Sequence, residues 1–230
     1  MLEYEVSLSR VEDHGKQLKT FVFERPAGYD FIAGQYAILK VADNLMKPLT
    51  FSSSPTEGGV LKFTTRVSDS PYKKRLDALA LGEKARISGP IGKFTLQPGV
   101  KKVLFLAGGI GITPFKSMSK AALDLGLGID IALLWGVNSL DDAVFAGEFD
   151  WMGAENRGFS FTAIVASPPE EWGGWAGFIS KETIEAEVPD YPERIIYICG
   201  PPKMVEAMSA ALADMGLPKD NVIVEQFGGY

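Results

Sequence analysis

The residues Gly108-Gly109-Ile110-Gly111-Ile112-Thr113-Pro114 follow directly on the apolar run Val103-Leu104-Phe105-Leu106-Ala107. A Gly-rich turn there carries a buried strand into a helix. Its glycines let the backbone approach a pyrophosphate closely. The helix that follows, read here from about Pro114 to Leu125, turns its free N–H groups and positive dipole end toward the anion. Pro114 stands where a dinucleotide fingerprint usually has its third glycine. Proline in the first helical turn loses no needed hydrogen bond and has its φ already set, so the helix still starts. Gly-rich turns after strands are common, so this motif alone leaves a dinucleotide site as one reading among several.

At 230 residues, with 46% hydrophobic and 23% charged, the chain suits one large globular domain or two smaller ones. No apolar run approaches the roughly 18 residues that span a bilayer, so no membrane span is expected. The acidic, alternating start Met1-Leu2-Glu3-Tyr4-Glu5 is no secretory signal. Cys199 is the only cysteine, which excludes disulfides, zinc ribbons and protein-held iron-sulfur clusters within the chain and makes a cytoplasmic setting the expectation. Charge is unevenly divided. Residues 1–98 hold 14 Lys+Arg against 11 Asp+Glu, net +3, and residues 99–230 hold 9 against 18, net −9. A mildly basic first half can receive anionic ligands or an acidic protein, whereas an acidic chain is a poor nucleic-acid binder.

Short alternating runs fill the first half: Tyr4 to Leu8, Leu18 to Phe23, Tyr36 to Val41, Leu61 to Thr65 and Ala85 to Ser88. They predict an antiparallel β barrel or sandwich. A helix from about Pro71 to Ala80, with Ser70 as N-cap, interrupts them. Beyond Gln97-Pro98-Gly99 the pattern changes. Strands at Val103 to Ala107, Ile129 to Trp135, Ser160 to Val165, Ile195 to Ile198 and Val222 to Glu225 alternate with helices at Pro114 to Leu125, near Asp141 to Phe149, Lys181 to Glu187 and Pro202 to Met215. That is a doubly wound α/β parallel sheet. Two domains are expected, 1–98 and 99–230.

Several strings stand in a telling order: Phe31-Ile32-Ala33-Gly34-Gln35-Tyr36, Lys47-Pro48-Leu49-Thr50-Phe51-Ser52-Ser53-Ser54-Pro55, Gly89-Pro90-Ile91-Gly92-Lys93-Phe94, the turn at Gly108, and Cys199-Gly200-Pro201-Pro202-Lys203-Met204. In order and spacing over nearly the whole chain they resemble the ferredoxin-NADP reductase family of flavoproteins. Gly177-Phe178-Ile179 and Glu225-Gln226-Phe227 fit the same pattern. The resemblance implies a flavin-binding Greek-key barrel, a nicotinamide-nucleotide domain, and two cofactors that meet in a cleft between them.

It also implies site residues. The family's Arg-x-Tyr-Ser run corresponds to Lys47, Pro48, Leu49 and Thr50, continued by Phe51 and Ser52. Lys47 keeps the phosphate-binding charge without the bidentate fork. Leu49 cannot stack as tyrosine does. Thr50 keeps the hydroxyl that would hydrogen-bond the hydride-accepting nitrogen. Ser70, Tyr72 and Lys73 would meet the flavin pyrophosphate, and at least one of Lys73, Lys74 and Arg75 should face water. The nucleotide falls to Gly108, Gly109, Gly111, Thr113 and Pro114, to Gly136 and Asn138, and to Cys199, Gly200, Pro201 and Met204. Cys199 reads either as a small core hydrophobe or, by the resemblance, as a thiol beside the nicotinamide that shapes the pocket without acting as a nucleophile. Glu225 and Phe227 join Thr50 and Cys199 at the reacting centre, and Tyr230 reads either as reaching back over the flavin ring on the Gly228-Gly229 hinge or as part of a solvated tail. His14 reads as a solvated turn residue and the Trp172 to Trp175 stretch as a loop with aromatic anchors.

The implied cofactors are FAD and NAD(P)H. NADH is preferred because Gly136-Val137-Asn138-Ser139-Leu140-Asp141-Asp142 lacks an arginine for a 2′-phosphate and carries two aspartates that would repel it. Electrons would leave to ferredoxin or another small electron carrier. Two alternatives stay open: an electron-transfer subunit of a larger redox complex, and a nucleotide-sensing module whose flavin site has decayed.

Overall fold

The computed structural model describes residues 2–228. The first part of the chain forms six antiparallel strands: β1 (Glu3–Asp13), β2 (Leu18–Glu24), β3 (Tyr36–Ala42), β4 (Leu45–Thr50), β5 (Val60–Arg66) and β6 (Lys84–Ile91). Their order is β4-β3-β6-β1-β2-β5. A bridge between Phe51, just past β4, and Phe63 on β5 joins the two ends of that order and closes the sheet into a barrel. Alternation decides what fills it: Phe21 and Phe23 of β2, Leu61 and Phe63 of β5, and Leu39 of β3 are fully buried with Phe51. The Phe31 and Phe51 rings lie 4.2 Å apart and those of Phe51 and Phe63 5.1 Å apart. Each such side chain contributes about 1.5–3 kcal/mol of burial.

The sequence does not mark β4, because its Met46, Lys47 and Pro48 are all exposed and no alternation shows until Leu49. Its Pro48 sits at the edge of the strand order, where a missing N–H is tolerated. The helix of this part, α1 (Pro71–Asp77), stops three residues short of the expected Ala80. There the N–H of Leu79 donates to Leu76 O, a tight turn that folds Leu79 back into the barrel core.

The second part alternates β7 (Lys102–Gly108), α2 (Ile112–Asp124), β8 (Asp130–Val137), α3 (Ala146–Glu155), β9 (Phe159–Val165), β10 (Trp175–Ala176), α4 (Lys181–Glu187), β11 (Ile195–Gly200), α5 (Pro202–Asp214) and β12 (Val222–Gln226). Its sheet is parallel throughout, in the order β10-β9-β8-β7-β11-β12. Central strands covered on both faces need continuous apolar runs, and β7 and β8 have them. The stretch Leu140–Asp142 forms a 3-10 turn, so α3 begins at Ala146 rather than near Asp141.

Packing divides the chain differently from a single cut at residue 98. One unit comprises Met1–Leu96 with Lys116–Leu125, and the other Gln97–Phe115 with Gly126–Tyr230. Hydrogen bonds tie the first unit's extra segment to the rest of that unit, Thr56 Oγ1 donating to the Asp124 carboxylate among them. Ser117 Oγ donates to Ser53 O at 2.7 Å, and Lys116 Nζ to Ser52 O at 3.5 Å.

Candidate functional site

In the parallel sheet, the chain runs β7, β8, β9, β10 to one side and then crosses to β11 and β12 on the other. Ligands of such sheets bind beyond the carboxyl ends of the strands where the order reverses. Here that is the β7–β11 junction. Gly108 ends β7, Gly136 pairs with it on β8, Cys199 and Gly200 end β11, and Glu225 pairs with Cys199 from β12. The expected nucleotide residues are thus gathered at one place.

The turn shows why it needs glycine. A Cβ on Gly111 would stand 2.3 Å from Cys199 O and one on Gly108 2.4 Å from Met204 Sδ, so both let the turn press onto β11 and α5. Gly109 differs: its φ is +51° and nothing lies within 4 Å of its Cβ position, which leaves its backbone open to a ligand. The Trp135 indole Nε1 donates to Gly109 O at 2.8 Å and fixes the turn. Thr113 Oγ1 donates to Ile110 O at 3.1 Å, and Thr113 and Pro114 are buried in the first turn of α2. Pro201 caps α5, its carbonyl accepting from the Met204 and Val205 N–H groups. Asn138 is exposed. The Asp142 carboxylate accepts from Ser139 N and Oγ, which leaves Asp141 as the exposed acid of that loop.

Cys199 is fully buried, and burial first, then the Glu225 charge, pushes its thiol well up. The thiol therefore stays protonated at neutral pH. Burial also raises the Glu225 carboxyl to about 7, and its Oε2 has no hydrogen-bond partner among the described residues. A carboxyl left so poised at the end of β12 can hold or give up a proton near neutral pH. The Phe227 N–H donates to Gly200 O at 3.0 Å, so the chain after β12 stays beside this point. The expectation for Tyr230 falls outside the described residues.

In the barrel unit, α1 packs on β3 and β4, which brings Ser70 to Lys73 toward Lys47. Ser70 Oγ accepts the Lys73 N–H and caps the helix. Tyr72 belongs to the barrel core, as do Leu49 and Phe51. Lys73 is buried, bonded through Nζ to Thr65 Oγ1, and burial followed by the charge of Lys47 lowers its pKa to about 8. Lys74 is exposed beside Asp69. Two cations within electrostatic reach, one of them desolvated, form an arrangement that an anion stabilises. The donors present fit a flavin's phosphates. Thr50 is buried at the end of β4.

Ser52 is buried. Its hydroxyl meets Thr64 Oγ1 at 2.8 Å, Thr64 meets Thr20 at 2.7 Å, and Thr20 meets His14 Nε2 at 2.8 Å. His14 is therefore a half-buried member of a hydroxyl chain and not a solvated turn residue. The string at Phe31 to Tyr36 meets that at Gly92 to Phe94 through Gly34, where a Cβ would stand 2.1 Å from Phe94 O.

Residues 105–210 match the oxidoreductase NAD-binding domain. The chain is 30% identical over 207 residues, 84% of its own length and 51% of the relative's, to a subunit of the Na(+)-translocating NADH-quinone reductase of Pseudomonas aeruginosa. It is 29% identical over 214 residues, 89% of its length and 75% of the relative's, to NADH-cytochrome b5 reductase 1 of Dictyostelium discoideum. The chain spans about half the length of the quinone-reductase subunits it matches. An Amycolatopsis cytochrome P450 reductase superposes with a TM-score of 0.85 at 25% identity, covering 98% of this chain and 70% of that one. A ferredoxin NADP+ reductase from Neisseria gonorrhoeae, with bound FAD and NADP, gives 0.85 at 21% identity over 97% and 98%. The fold and the nucleotide domain are those of a flavoprotein-reductase type of oxidoreductase. Residues 105–210 carry the oxidoreductase NAD-binding domain, and the fold of the chain is similar to that of the ferredoxin-NADP reductase-like proteins.

Proposed function

We propose that this chain is an NADH-dependent flavoprotein reductase, carrying FAD in the barrel and serving a separate one-electron acceptor. The observation that carries the reading is the cationic pair Lys47 and Lys73 on a barrel joined in one chain to the NAD-binding domain. FAD held there by Lys47 and Lys73 would supply acceptance of a hydride from the nicotinamide and release of its two electrons one at a time. The protein's part is to bind, orient and exclude water. Lys47 and Lys73 hold the flavin phosphates, and Thr50 supplies a hydroxyl to the hydride-accepting nitrogen. Gly109 admits the nucleotide's pyrophosphate to the start of α2. Cys199 shapes the wall and Glu225 holds a proton close by.

NADH is preferred over NADPH because the loop after β8 offers a 2′-phosphate the exposed Asp141 and no arginine. The names of the quinone-reductase and b5-reductase relatives point the same way. Ferredoxin or another small carrier is the acceptor. The reading as a component of a larger redox assembly draws support from the match to half the length of a protein that is itself named as a subunit. Mass spectrometry of the cofactor released from purified protein tests the proposal. FAD is the expected species, and FMN alone, or no flavin after reconstitution, would overturn it.

A further inference from the structure

The strand β10 pairs only Trp175 and Ala176 with Ile164 and Val165, so Phe159 to Ala163 of β9 has no strand beside it on that side among the described residues. Backbone direction along β9 follows from two hydrogen bonds. The Ala166 N–H donates to Val137 O, toward β8, and Val165 O accepts from the Gly177 N–H on the other side, each at 2.8 Å. Alternation then turns the backbone of Phe161 and the N–H of Ala163 away from β8. They face an open groove of about 740 Å³, lined by Phe161, Ala163, Trp172, Trp175, Asp150 and Glu187.

The walls are built. Glu187 accepts from Trp175 Nε1 at 2.6 Å and Thr162 Oγ1 at 2.7 Å, and Trp172 Nε1 donates to Trp175 O at 3.0 Å. The charge around them is one-sided. Residues 141–187 contain ten acidic residues and two basic ones, net −8, which is nearly all of the net −9 on residues 99–230. Asp150 on the groove's rim is exposed.

An open sheet edge is a template for another strand. A second copy of this chain would bring the same negative charge to the same place and be repelled. We propose that the open edge of β9 docks an extended, lysine- or arginine-rich segment of a partner protein as an added strand, its cations lying over Asp150 and the indoles of Trp172 and Trp175. The groove lies along the side of β9, and Leu140 and Ala143, which flank Asp141 and Asp142, form its end beside the loop after β8.

The test is amide chemical-shift mapping of the purified chain with a short synthetic peptide alternating lysine and valine. Shifts are expected at Phe161 and Ala163 and at the Trp172 indole. Ala163→Pro should weaken binding by about tenfold or more, because proline removes the edge-facing N–H yet leaves the ladder to β8 intact, so melting should stay near wild type. Asp150→Lys should weaken it several-fold. The proposal fails if the peptide produces no shifts in β9, if Ala163→Pro binds it equally, or if the same peptide with glutamate for lysine binds as well. It also fails if spermidine reproduces the full pattern, which would mark a small-cation site, or if shifts follow protein concentration alone, which would mark self-association.

Discussion

Lys73 sits within the field of Lys47, and burial together with that neighbouring charge brings its pKa down to about 8. An anion bound to the pair restores the charged form of Lys73 and raises its pKa. FAD binding should therefore take up a proton between about pH 8 and the raised value, and affinity should fall as pH rises through that window, by up to about tenfold per unit. Flavin-fluorescence titration of the apoprotein from pH 6.5 to 9.5 measures this. Lys73→Met should bind about ten- to a hundredfold more weakly at pH 7 and lose the slope. An unchanged slope in that variant would place the phosphates elsewhere.

Glu225 gives a pH signature of opposite origin. Its folded pKa of about 7 lies above the unfolded value, so the folded state holds the extra proton between about 4.5 and 7, and stability falls as pH rises through that range. Glu225→Gln should flatten the decline and gain on the order of 1–3 kcal/mol at pH 8. Urea unfolding across pH reads both quantities. A wild-type profile that stays flat between pH 5 and 7 would mean that the carboxyl is better solvated than its position at the end of β12 indicates.

Thr50→Val keeps shape and removes a hydroxyl. One hydrogen bond lost in a closed site is worth about 1–3 kcal/mol, so flavin reduction should slow roughly ten- to a hundredfold while flavin content stays the same. Rapid mixing under anaerobic conditions compares the rates. Equal rates would make Thr50 a strand residue only.

The two glycines of the turn should part company. Gly111→Ala places a methyl 2.3 Å from Cys199 O, a backbone atom that cannot step aside, and should cost several kcal/mol of stability, about 2–4. Gly109→Ala meets no atom and bears only the strain of φ +51°, about 1 kcal/mol, yet its methyl stands where a pyrophosphate would approach. It should melt near wild type and show a raised KM for NADH. Equal destabilisation by both would show that the turn is purely structural.

How far the sequence is legible depends on which forces write each segment. Val103 to Ala107 and Ile131 to Trp135 announce themselves because both faces of those strands are buried. Leu45 to Pro48 does not, since an edge strand with an exposed proline shows no period. The start of α3 is hidden because Ser139 and Asp142 spend their hydrogen bonds on a turn of their own. Within the candidate site, the gathering of Gly108, Gly136, Cys199 and Glu225 follows from topology and can be read from motif order. The inward turn of Lys73, the hydroxyl chain from His14 to Ser52 and the groove beside β9 cannot. Each depends on which neighbour a long-range fold supplies: Thr65, Thr20 and the shortness of β10 respectively.

The most direct test is anaerobic mixing of the purified, oxidised protein with one equivalent of NADH or NADPH, followed through the flavin absorbance. The expected result is full bleaching by NADH, faster than by NADPH at equal low concentration, with Asp141→Asn narrowing the gap by a few-fold, about 1 kcal/mol or less. A flavin that NADH leaves oxidised would contradict the assignment of this chain as a nicotinamide-dependent flavoprotein reductase.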